Sequence, residues 1–234
     1  MPMSTDTALE GKSLLTLLQL TNSFFPTGAF AHSFGLETYV QREFVNDPET
    51  FEMFLLSTLH HGLRNGDAVA IGLTYKATEI GQIVDLDARF TAMKVARESR
   101  EGSIKIGKQF LRNAAILERN EMLDEYAEGV RSGRCAGHHA IAYGLVAAAA
   151  KIDLFSAVLG YLHAHVVGQV SAAVRLIPLK PTDGQGIIDA IRPDLINIAR
   201  FAEGADMHDL GGFTPGLDIR GMQHERLYSR LFIS

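Results

Sequence analysis

Apolar residues in this chain recur at intervals of three and four positions rather than two. After Asp47-Pro48-Glu49, the side chains of Phe51, Phe54, Leu55 and Leu59 fall on one face of a helix. Asp47 supplies a capping oxygen, and Pro48 suits the first helical position because the N–H it lacks would have had no partner there. The same spacing predicts helices over about 13–20, 31–42, 67–79, 86–97, 103–128, 138–151, 154–177, 186–203 and 218–231. Runs of alternating β-branched residues between tight turns are missing, so the expected fold is all-α, a single-domain bundle of about nine or ten helices. The helix from Pro48 should end near Leu63, because Asn65-Gly66 favours a break or bend.

Two interruptions are more informative than the helices. Phe25-Pro26-Thr27-Gly28-Ala29-Phe30 must turn the chain, and 204–216, with Gly211-Gly212 and Thr214-Pro215-Gly216, reads as a mobile tether. The expected organisation is a flexible tail over 1–12, a helical domain over 13–204, and a linker with a flexible partner-binding segment over 205–234. Leu154 to Val174 carries no formal charge and is about long enough to cross a bilayer. Ser156, Tyr161, His163, His165, Gln169 and Ser171 spread polar groups around all its faces, however, which suits a helix buried among other helices and not a membrane span.

Composition narrows the function further. The 234 residues are 47% hydrophobic, enough for a core, and carry a net charge of −5, which offers nucleic acid no attractive field. A lone Cys135 closes no intramolecular disulfide, and residues 1–12 lack the basic-then-apolar pattern of a signal segment, so a cytoplasmic protein is expected.

Candidate chemistry is sparse. Gly102-Ser103-Ile104-Lys105-Ile106-Gly107-Lys108-Gln109 has the spacing of a phosphate-binding loop, but Gln109 stands where a hydroxyl would ligate magnesium, and the residues before it are helical in character rather than strand-like. In a helix, Lys105, Lys108 and Arg112 instead share one face, either merely solvated or a docking stripe. Among nine histidines, His60-His61 and His163-Ala164-His165 point in different directions on a helix. Only Cys135 with His138 and His139 has spacing for a weak or shared metal contact. With no glycine-flanked serine elbow and no paired-carboxylate motif, catalysis of its own is not expected; the alternative is a helical metal-binding protein or metalloenzyme using Cys135, His138 and His139.

Three ordered stretches carry more. They are residues 17–37, centred on Phe25-Pro26-Thr27-Gly28-Ala29-Phe30-Ala31-His32-Ser33-Phe34-Gly35-Leu36-Glu37; Ala173-Val174-Arg175-Leu176-Ile177-Pro178-Leu179; and Met222-Gln223-His224-Glu225-Arg226-Leu227-Tyr228-Ser229-Arg230-Leu231-Phe232-Ile233-Ser234. Together with Arg97-Glu98-Ser99 and His138-His139-Ala140-Ile141-Ala142-Tyr143-Gly144, they make the chain resemble the UreF family of urease accessory proteins nearly end to end. It departs from that pattern at Ala29, where the family often has a second glycine, and near Ala140, where it often has proline.

The resemblance implies an all-α, homodimeric maturation chaperone without a cofactor of its own. Such a protein bridges a UreD-type (UreH-type) scaffold on apo-urease and the nickel-carrying GTPase UreG, regulates that GTPase, and supports nickel insertion, with nickel in transit at most. It implies partner-binding roles for Tyr228, Arg230, Leu231 and Phe232 at the end of the chain. Pro26, Gly28, Phe30 and Glu37 in the first stretch are the further candidates. From the residues alone, the tether with its apolar anchors Leu227, Leu231 and Phe232 suits folding on a partner better than the alternative, docking on its own domain.

Overall fold

The computed structural model of the chain describes residues 5–233, with side chains from Glu10 onward. The helices are α1 (Thr5–Leu20), α2 (Leu36–Gln41), α3 (Pro48–Thr58), α4 (Val69–Lys76), α5 (Ile80–Met93), α6 (Arg97–Ala114), α7 (Glu121–Ser132), α8 (His139–Ala149), α9 (Leu154–Leu176), α10 (Pro181–Ala190), α11 (Arg192–Gly204) and α12 (Pro215–His224). No strand occurs among the described residues, and the all-α expectation is borne out.

Several boundaries differ from the periodicity. The start of the expected N-terminal tail, residues 1–4, lies outside the described residues, and from Thr5 the chain is helical. The expected helix 103–128 is two helices separated at Asn120, whose side chain accepts the Leu123 N–H at 2.8 Å and caps α7. The expected helix 186–203 is likewise divided, at Ile191.

The predicted cap at Asp47 forms: its carboxylate accepts the Thr50 N–H at 2.8 Å. The predicted break at Asn65-Gly66 does not. Residues Leu59–Ala68 continue from α3 into α4 as a π-helical stretch. Such widened turns leave carbonyls available, and here the loop before α12 uses them: Gly211 N–H donates to Asn65 O at 2.9 Å, and Phe213 N–H to His61 O at 3.1 Å.

The core centres on α8, eight of whose eleven residues are buried and which packs most closely on α4 and α6. This packing needs glycines at the crossing points. A Cβ at Gly107 would collide with the backbone of Gly137 and His138, and one at Gly144 would lie 3.0 Å from Thr74. Gly107 of the loop-like sequence 102–109 thus serves helix packing within α6. Helix α9 is long and apolar enough to cross a membrane by length and composition, and it packs on α1, α10 and α11 with 50% of its most apolar stretch buried.

Candidate partner-docking face

After α12 the chain turns back as a strap along the body, so the expected linker and partner-binding segment 205–234 is laid onto the domain from its loop through to Ile233. The clamp is Glu37, at the start of α2 and 3% exposed. One of its carboxylate oxygens accepts the Leu231 N–H at 2.6 Å; the other accepts the Phe232 N–H at 3.1 Å and faces His224 Nε2 at 3.0 Å. A buried carboxylate is expensive unless its lone pairs are filled, and three donors from one segment fill them.

His224 is fully buried at the end of α12, and its Nδ1 lies 2.6 Å from Glu98 in the first turn of α6. The other oxygen of Glu98 takes Arg230 Nη1 at 2.9 Å. Nearby, Arg97 pairs with Glu225 at 2.6 Å and holds that carboxyl below the usual carboxylate range. Ile233 N–H donates to Ala31 O at 2.9 Å, and Gln41 donates to Ser229 O at 3.1 Å. Phe232, only 4% exposed, lies under the Arg175 guanidinium, 4.4 Å from the ring centroid.

The other candidate stretch meets the strap here. Gly28 adopts φ 78°, a left-handed conformation that turns the chain into the 3-10 turn Ala29–Ala31. Pro26 O accepts from Asn113 Nδ2 at 2.8 Å, and the Phe25 ring lies 5.4 Å from that of Phe110, so the turn is fastened to α6. Phe30 remains 69% exposed, and Arg175 reaches its carbonyl at 3.3 Å.

Sequence-distant candidates are therefore brought together, but with divided roles. Phe30, Tyr228, Leu231 and Ile233 present apolar surface outward. Glu37 and Phe232 face inward and hold the strap. Arg230 is half-spoken for by Glu98. The sequence reading assigned no role to Glu98, Arg175 or His224, although each lies in a stretch that carried the resemblance; their partners are remote in the chain, and no local pattern marks them.

The metal candidates are not assembled. His138 is buried between Ser103 Oγ at 3.0 Å and Thr91 Oγ1 at 2.9 Å. The His139 ring lies instead among Phe110, Tyr143 and Tyr161, with centroids 5.1–6.3 Å away. Cys135 is buried beside Gly129, and burial pushes its thiol pKa up, which disfavours the thiolate a metal needs. Among the described residues no group of three His, Cys, Asp or Glu side chains is placed to hold a metal ion.

The chain is similar to known proteins along nearly its whole length. The family model UreF matches residues 45–192. The urease accessory protein UreF of Bacillus sp. (strain TB-90) is 38% identical over 94% of this chain and 99% of its own length. Its counterpart from Kocuria rhizophila is 37% identical over 94% of this chain and 97% of its own. That of Arthrobacter sp. (strain FB24) is 36% identical over 97% of this chain and all of its own. With a family model covering more than half of it and relatives this similar along nearly its whole length, the chain belongs to the UreF family of urease accessory proteins.

Proposed function

We propose that this protein is a urease maturation chaperone that works as a bridge between a UreD-type (UreH-type) scaffold on apo-urease and a UreG-type nickel-carrying GTPase. In this reading it regulates the GTPase cycle and supports nickel insertion, with nickel as cargo and no catalysis of its own. The observation that carries the reading is the convergence of the Phe30 turn and the strap: Glu37 holds Leu231 and Phe232 by their backbone, so the apolar side chains of Phe30, Tyr228 and Leu231 are offered together. Preordered aromatic and aliphatic anchors are what protein interfaces use at their centres. A cytoplasmic homodimer fits the same reading, since Leu14, Leu15 and Leu18 of α1 form an exposed apolar face suited to a second copy.

The test is coexpression with candidate UreD-type and UreG-type proteins and mass measurement of what copurifies. Tyr228→Ala with Leu231→Asp changes two exposed side chains, so the fold should persist by circular dichroism while scaffold capture is lost. Undiminished capture by this double variant would remove the basis of the proposal.

A further inference from the structure

The outer face of α6 carries Lys105, Lys108 and Arg112, all exposed and spaced three and four apart, so they stand in a row about 10 Å long. Four exposed arginines elsewhere are paired with a near neighbour in sequence: Arg89 with Asp85, Arg119 with Asp124, Arg131 with Glu128, Arg192 with Asp189. The three α6 cations form no ion pair among the described residues, and each adjoins another at helical spacing, which weakens the helix. Lys108 is further steadied by its stem against Gly137, where a Cβ would sit 3.3 Å from its Cγ.

Position gives the row its meaning. One end of α6 is joined to the strap through Glu98, and the other to the Pro26 turn through Asn113. Lys105, Arg97 and Arg230 line one cavity of about 490 Å³ together with Glu98, Glu101, Phe232 and Ile233. The charge on Lys105 also contributes, after burial, to lowering the His32 pKa. The row is thus continuous with the apolar docking face.

Resting on the proposed function, we infer that the Lys105–Lys108–Arg112 ridge is the electrostatic half of that face and takes a folded protein partner whose contacting surface carries carboxylates about one helical turn apart. A protein is favoured over nucleic acid because the cavity at the Lys105 end of the row is also lined by the exposed apolar side chain of Ile233, while the whole chain carries −5.

The experiment compares the full-length protein with its Lys105→Glu/Lys108→Glu/Arg112→Glu variant, titrated against purified UreD-type and UreG-type proteins separately at low and high salt. Lys105→Gln/Lys108→Gln/Arg112→Gln serves if the reversal does not fold. At low salt one partner should bind at least about tenfold more weakly, mainly through slower association, and the difference should shrink as salt rises. The Leu231→Asp variant should lose binding at every salt concentration. Binding of both partners within about twofold of the parent overturns the ridge, as does tighter binding of a DNA duplex probe than of either partner. Loss with Leu231→Asp but not with charge reversal rejects the ridge alone; no loss with either rejects the docking face as well.

Discussion

The Glu37 carboxylate accepts the backbone N–H of Leu231 at 2.6 Å, closing a span of 194 residues with one hydrogen bond. Because the same carboxylate serves Phe232 and faces His224, one side chain gathers three of the strap's contacts, beside those of Arg230, Ser229 and Ile233. Glu37→Ala should leave two N–H groups and a buried imidazole without their acceptor, at a cost of about 2–3 kcal/mol. Denaturant unfolding should show that loss, and hydrogen exchange at residues 231–233 should accelerate. Protection unchanged from the parent would mean that the strap is held elsewhere.

The buried histidines predict an acid-sensitive fold. His138, His139 and His165 are each lowered from 6.5 to about 4, first by burial, which outweighs the pull of the Asp67 carboxylate. His165 Nε2 also has no hydrogen-bond partner. Since the unfolded chain takes up these protons near 6.5 and the folded chain only near 4, stability is full above about 6.5 and falls as the pH drops toward 4. The denaturation midpoint should drop clearly between pH 7 and pH 5, and less so in His139→Phe. A midpoint flat across that range would contradict the burial of these rings.

Packing at the α6 crossing gives a third prediction. Gly107→Ala places a methyl group into the backbone of Gly137 and His138, which cannot retreat without moving the start of α8. A destabilisation of about 3 kcal/mol or more is expected by thermal unfolding. In contrast, Gly28→Ala meets no atom within 4 Å and is strained only by its φ of 78°, so it should cost about 1 kcal/mol.

These cases show what the sequence could disclose. Helix positions and the Asp47 cap were legible because they rest on spacing and a cap three residues away. Asn65-Gly66 misled because its consequences depend on Gly211 and Phe213, which occupy the carbonyls of the widened turn from far along the chain. The docking face was legible only as two separate stretches: Phe30 and Leu231 announce exposed anchors, but nothing local says that Glu37 points inward to join them. Cys135, His138 and His139 looked like ligands by spacing, and the fold instead sends each ring or thiol to its own buried neighbours.

Arg175 tests whether the two stretches act as one surface. It reaches Phe30 O at 3.3 Å and covers the Phe232 ring at 4.4 Å, so it touches both halves from α9. Its planar group does two things a lysine does poorly, since it stacks on the ring while donating to the carbonyl. Arg175→Lys should therefore retain charge but lose about 1 kcal/mol of the cation–π contact. Exchange at Phe232 and Ile233 should rise several-fold while global stability changes little. If the face is one unit, capture of the scaffold partner should weaken in parallel with that local loosening, mainly through faster dissociation. Faster exchange without weaker capture would mean that the partner reorders the strap for itself, and that the Phe30 turn and the strap are recognised independently.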